Sequence, residues 1–234
     1  MFVILTLTYL RRAPLRLYYV VLAAGVLALP ACKTRSVGSH VTERVTPTGV
    51  EQLAVKGGTN GAAISQAARS LPQDQREGLE FLLGNMPERD LQQLSPSLLV
   101  ENVALAYETF AKAPWRDRVP KEIFLNDILP YACVNETRDA WRGLLREKCE
   151  PLVADCQTPA EAAQRLNQKL FKLVNVRYST GRKKADQSPL ESMESGLATC
   201  TGLSILLVDA CRSVGVPARL AGTPMWTNMR GNHT

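Results

Sequence analysis

The stretch at residues 196–207 constrains the fold more than any other part of the sequence. It reads GLATCTGLSILL, so a turn of small residues leads into Cys200 and an apolar segment follows at once. Apolar residues recur at 3–4 spacing through residues 203–210, which predicts a helix with one face in the core. Gly215 predicts the end of this helix, and Pro217 prevents the helix from resuming.

This pattern places Cys200 in the first turn of a helix. Backbone N–H groups there have no partner within the helix, and the helix dipole is positive, so a thiolate is stabilised. Residues 216–222 then predict a short strand, and a loop containing Trp226 leads to His233. A thiol and an imidazole are the pair of groups that nucleophilic cysteine chemistry requires.

Three motifs carry a resemblance to a known family: G-x3-C-x-G at 196–202, GVPAR at 215–219 and NHT at 232–234. Together with the buried helix between them, they resemble the core of bacterial transglutaminase-like proteins over residues 188–234. That family has the papain-like cysteine-enzyme architecture. The stretch 77–178, with LPY and NETRDAWR motifs, resembles the leader region of one bacterial subgroup.

The resemblance implies that Cys200 is the nucleophile, His233 is the base and the backbone N–H of Cys200 is an oxyanion donor. Trp226 is a candidate to wall the cleft or to donate its indole N–H, and a packing aromatic is the alternative. The family's third catalytic member is an Asp after the His. Because the sequence ends one residue after His233, we expect it to be truncated there, and Asp209 lies too far along the helix to substitute.

The implied reaction is attack of Cys200 on a glutamine carboxamide or a peptide bond in a peptide or protein substrate. A thioester acyl-enzyme would result, and either water or an amine would resolve it, so hydrolysis and transfer both stay open. We therefore expect a transglutaminase-like cysteine acyltransferase or protease. The alternative is a non-catalytic envelope lipoprotein that uses the same fold to bind a peptide or cell-envelope partner.

The N-terminus has the features of an export signal. Arg11, Arg12 and Arg16 precede an apolar run at 17–29, which is too short to span a membrane but typical of a signal peptide. The LPAC sequence that ends at Cys32 resembles a bacterial lipobox, which predicts lipidation of Cys32. We expect an exported, membrane-anchored lipoprotein of the periplasm or cell surface, and a plain signal peptide is the alternative.

Helices early and strands late predict an α+β fold: a papain-like, transglutaminase-like core after a helical leader, with an incomplete C-terminal sheet. A TPAE sequence at 158–161 predicts a helix start, and residues 174–179 predict a strand. The predicted segments are a signal peptide at 1–31, a flexible tether at 32–62, a helical leader region at 63–157 and a partial core at 158–234.

Charge and cysteine usage exclude several functions. Outside the signal peptide, 25 basic and 22 acidic side chains remain, which does not favour a nucleic-acid partner. If Cys32 is lipidated, five cysteines remain, and the odd thiol is expected to be Cys200. A bridge between Cys149 and Cys156 stays open. Because neither a CxxC nor an HxxxH pattern occurs, the sequence predicts no metal site, and no cofactor is expected.

Overall fold

The computed structural model describes residues 49–223, 225, 227, 233 and 234, and helices supply nearly all of their regular structure. The helices are α1 (Gly49–Ala54), α2 (Gly58–Ala67), α3 (Gln73–Asn85), α4 (Glu88–Gln93), α5 (Pro96–Lys112), α6 (Lys121–Ile123), α7 (Trp141–Val153), α8 (Pro159–Leu173), α9 (Pro189–Ser195) and α10 (Cys200–Ser213). A π-helical turn, Phe124–Ile128, continues α6. Within these described ranges no helix has the length and apolarity needed to cross a membrane.

Two short parallel strands complete the fold. Strand β1 (Arg177–Tyr178) pairs with β2 (Leu197–Ala198), with Tyr178 opposite Ala198. Helices therefore come first and strands late, which confirms the predicted α+β class. The strand predicted at 174–179 is confirmed at residues 177 and 178.

The strand predicted at 216–222 is wrong. These residues form no ladder. Among the residues that the structure describes here, the nearby pairing is an isolated antiparallel bridge between Thr223 and His233. The physical reason is the hydrogen-bond partner of the backbone in this segment. The Ala218 N–H donates to the carbonyl of Asp127 in the π-helical turn, so the segment packs on a helical element instead of a neighbouring strand.

The tether predicted at 32–62 is also wrong where the structure describes it. Residues 49–62 contain α1 and the first half of α2, and both Val50 and Ala54 are buried. The small residues that suggested flexibility allow close helix contact instead. A Cβ at Gly61 would lie 1.9 Å from the Ala54 carbonyl oxygen, so only glycine fits this contact. The predicted signal peptide and Cys32 fall outside the described residues.

Two capping boxes fix the helices that precede Cys200. The predicted start at Thr158 is confirmed: its hydroxyl accepts from the Glu161 N–H, and the Glu161 carboxylate accepts from the Thr158 N–H. Ser188 and Glu191 form the same arrangement at the start of α9. Helix α9 ends at Gly196, which adopts a left-handed conformation (φ 66°) and turns the chain directly into β2.

A buried guanidinium joins the helices around α10. Arg142 on α7 is 3% exposed and donates to the side-chain oxygen of Asn102 on α5 and to the carbonyl of Arg212 on α10. It also donates to the carbonyls of residues 128–130, which are the last residue of the π-helical turn and the two residues after it. Burial lowers the pKa of Arg142 to about 9, so it still carries its charge at neutral pH. One side chain therefore holds three helical elements in place.

We expect an Arg142→Met substitution to lower the free energy of unfolding by at least about 3 kcal/mol. Several buried acceptors would lose their donor together, and each unsatisfied group costs about 1–3 kcal/mol. Arg146→Met is the matched control, because Arg146 lies one turn later on α7 and pairs with the half-exposed Glu108. Exposed pairs contribute about 0–1 kcal/mol. Urea unfolding would measure both variants, and equal losses would contradict this role for Arg142.

Candidate active site

Cys200 is the first residue of α10, as the sequence predicts. The helix is buried along its length, since every residue from Gly202 to Ser213 is buried, whereas Cys200 is partly exposed. The helix therefore opens to solvent only at its N-terminal end. There the N–H groups of the first turn are available to an external acceptor, and the dipole favours negative charge on the thiol.

The two strands hold the approach to Cys200. The Arg177 N–H donates to the Gly196 carbonyl (3.0 Å), and the Ser179 N–H donates to the Ala198 carbonyl (2.9 Å). Tyr178, between these donors, is 54% exposed and lies in register with Ala198, two residues before the cysteine. Sequence analysis did not single out Tyr178. It lies within the strand predicted at 174–179, but the pairing of that strand with residues 197–198 is known only from the structure.

Gly202 allows the start of α10 to approach β2 closely. A Cβ at this position would lie 3.0 Å from the Ala198 Cβ and 3.6 Å from the Gln187 Cβ. These distances leave no room for a larger side chain unless the helix or the strand moves. The second glycine of the G-x3-C-x-G motif, Gly202, therefore sets the distance between the start of α10 and its neighbours.

The segment after α10 is held by contacts to earlier parts of the chain. Gly215 has a positive φ (74°), and its carbonyl accepts from the indole N–H of Trp115 at 2.7 Å. Arg219 donates to the Asp127 carboxylate at 2.7 and 2.8 Å. The GVPAR motif therefore packs against the segment after α5 and against the π-helical turn, and this fixes where the chain begins its path to His233.

The structure brings the region of His233 back to the start of α10. The N–H groups of Thr223 and His233 each donate to the other residue's carbonyl, at 2.8 and 3.0 Å. The hydroxyls of Thr201 and Thr234 are hydrogen-bonded at 3.1 Å. The residue after Cys200 thus touches the residue after His233, so the two predicted catalytic residues lie at the same end of α10. Trp226 falls outside the described residues, and its proposed role stays a prediction.

The other described cysteines are less suited to nucleophilic chemistry. All five described cysteines, Cys200 among them, are free thiols, so the bridge left open between Cys149 and Cys156 is not formed. Burial raises the pKa of both Cys149 and Cys211 to about 12. Burial also raises the pKa of Cys133 and Cys156. These four thiols are therefore held in the protonated, unreactive form at neutral pH.

Comparison with known proteins gives one match. The family model described as the transglutaminase-like superfamily matches residues 146–234. The matched part begins within α7 and includes both strands, the whole of α10 and the two residues Cys200 and His233. No curated protein and no solved structure matches the chain.

We expect Gly202→Val to lower the free energy of unfolding by about 1–3 kcal/mol, because it overpacks the contact with Ala198. It should also slow alkylation of Cys200, since the first turn of α10 would shift away from β2. Gly143→Ala on α7 is the control. A Cβ there would meet its nearest neighbours at 3.6 and 3.7 Å, which is ordinary contact. This change should therefore raise the free energy of unfolding by about 0.5–1 kcal/mol.

Thermal and urea unfolding of both variants, with site-resolved mass spectrometry of iodoacetamide-treated protein, would check this. A Gly202→Val variant as stable and as reactive as the natural chain would show that the close contact has no role in placing Cys200.

Proposed function

From the transglutaminase-like domain at residues 146–234, a type of domain that generally carries cysteine-based acyl transfer or proteolysis, we propose that this protein cleaves amide bonds through a thioester at Cys200. His233 acts as the base. The acyl group comes from a glutamine carboxamide or a peptide bond of a peptide or protein substrate. Both hydrolysis and transfer to an amine follow from the same intermediate.

The observation that carries this proposal is the hydrogen bond between Thr201 and Thr234. It joins the neighbour of Cys200 to the neighbour of His233, so the described residues converge at the only exposed end of α10. A thiol that was merely a core residue would not sit at a solvent-facing helix start. The four other described cysteines lack this setting.

The proposed reaction has two stages. His233 accepts the thiol proton of Cys200, and the thiolate attacks the carbonyl carbon to give a tetrahedral oxyanion. The backbone N–H of Cys200 donates to this oxyanion, because a first-turn N–H has no acceptor within the helix. The C–N bond then breaks, and the amine leaves with the proton from the imidazolium. Water or a second amine attacks the thioester, returns the thiol and releases an acid or a new amide.

We further propose that the chain is exported and held at the membrane by a lipid on Cys32. The support is the sequence alone: the arginines before residues 17–29, the apolar run itself and the LPAC sequence that follows. This location would give the catalytic thiol access to cell-envelope peptides.

Alkylation of the full chain tests the catalytic proposal. At neutral pH we expect iodoacetamide to modify Cys200 faster than a free model thiol and much faster than Cys211, because among the five described cysteines Cys200 alone combines exposure with a helix start. His233→Ala should slow this reaction at least about tenfold, since the thiol would lose its base. His40→Ala, which removes the other histidine of the chain, is the matched control and should have no effect.

A Cys200 that reacts no faster than the model thiol, together with peptide binding that survives Cys200→Ala, would instead identify a non-catalytic binding module. Site-resolved mass spectrometry distinguishes these outcomes, since each cysteine is followed separately in the same sample.

Metabolic labelling with radioactive palmitate tests the anchor. We expect the natural chain and a Cys156→Ser control to incorporate label, and Cys32→Ser to incorporate none, because the lipobox cysteine is the acylation site. Label retained by Cys32→Ser would place the acylation at another residue and contradict the proposed anchor. A natural chain that incorporates no label would also contradict it and would leave a plain signal peptide as the explanation for the N-terminus.

A further inference from the structure

A cluster of potential metal ligands lies away from the candidate active site. Cys133 and Glu136 come from the segment between the π-helical turn and α7, and Asp209 comes from the last third of α10. One ligand atom from each residue lies within 4.8 Å of the other two. The sequence did not indicate this group, because Asp209 is distant in the chain from Cys133 and Glu136 and the three residues follow no metal-binding spacing.

Asp209 supplies an independent indication. It is 0% exposed, and its Oδ2 atom has no hydrogen-bond partner. Its other oxygen, Oδ1, lies 3.6 Å from both the Cys133 Sγ and the Arg212 guanidinium. A fully buried carboxylate oxygen without a partner is costly, and such groups in native proteins commonly face a water or an ion.

We propose that Cys133, Glu136 and Asp209 bind one divalent cation of the zinc class. Zinc prefers thiolate, imidazole and carboxylate ligands in a tetrahedral arrangement, with bonds of about 2.3 Å to sulfur and about 2.0–2.2 Å to oxygen. These bonds imply a sulfur–oxygen edge of roughly 3.6 Å. The Cys133 Sγ and Asp209 Oδ1 are already separated by that distance.

The positive groups nearby do not depend on the three ligands. Arg212 donates to the carbonyls of Asp127, Ala132 and Ala218 in addition to its contact with Cys133. Arg138, 3.7 Å from the Glu136 carboxylate, donates to Asp90 at 2.9 Å. Both guanidinium groups can therefore stay in place when a cation binds. The two Glu136 oxygens accept from the N–H groups of Cys133 and Val134, and each keeps a lone pair for a cation. Arg142 is a third positive charge that acts on Asp209. Cys133 would release its thiol proton when it binds the cation, so all three ligands would be anionic in the complex.

The site has a route to solvent and is separate from the catalytic thiol. Cys133 is partly exposed and lines a surface groove together with Met86, Tyr131 and Arg138. Asp209 follows Cys200 by nine positions on one helix, which corresponds to roughly 14 Å along the axis. A cation here would tie the segment that contains Cys133 to the helix that carries the nucleophile.

Zinc titration of the full chain against a chromophoric chelator tests the site. We expect one Zn²⁺ per chain, and we expect Cys133→Ser and Asp209→Asn each to weaken binding at least about tenfold, since a lost ligand should cost no less than a lost supporting group. Cys200→Ser is the matched control and should bind as tightly as the natural chain. In the cobalt complex, a thiolate-to-cobalt absorption band should vanish in Cys133→Ser and persist in Cys200→Ser.

Three results would overturn the site. They are no binding by the full chain at micromolar zinc, unchanged binding by a folded Cys133→Ser variant, and binding that is lost only in Cys200→Ser. The last result would place the ion at the catalytic thiol. Circular dichroism checks that each variant is folded. If Asp209→Asn does not fold, zinc binding by the Cys133→Ser variant still decides the question, because Cys133 is partly exposed.

Discussion

The buried guanidinium of Arg142 is the interaction on which the arrangement around the candidate site depends. Removing a full charge from water costs several kcal/mol unless strong partners replace the solvent. Here the partners are carbonyl dipoles and one amide oxygen, including the Arg212 carbonyl near the C-terminal end of α10. That end of a helix carries partial negative charge, so it suits a cation. Because the acceptors belong to different elements, the charge is stabilised only when those elements meet in one arrangement.

That arrangement fixes α10 at both ends. Near its C-terminus, Arg212 donates to the carbonyls of Asp127 and Ala218, and the Gly215 carbonyl accepts a hydrogen bond from the indole N–H of Trp115. At its N-terminus, β2 is paired with β1 and Gly202 packs against Ala198. Between these contacts the helix is buried. Cys200 is thus presented by an element that has little freedom to move, which is the property that a nucleophile requires.

The sequence predicted what local signals determine. The capping box at Thr158, the start of α10 at Cys200 and its end at Gly215 each depend on residues within a few positions, and the structure confirms all three. Local sequence signals could not predict features that depend on residues distant in the chain. The extended segment after Gly215 joins no strand because Ala218 bonds to Asp127, and the helices at 49–62 exist because their small residues pack on one another. The proximity of Cys133 to Asp209 likewise depends on residues that are distant in the chain.

The polar contacts near the end of α10 bear on the proposed catalysis, because they limit the rotation of the helix about its own axis. Apolar packing alone tolerates small rotations, whereas directional bonds to Arg212 and Arg142 do not. A side-chain atom about 5.5 Å from the axis moves roughly 2 Å when a helix rotates by about 20°. A misplacement of about 1 Å can cost a catalytic site about 100-fold in rate. The buried polar groups at one end of α10 therefore set the direction in which Cys200 points at the other.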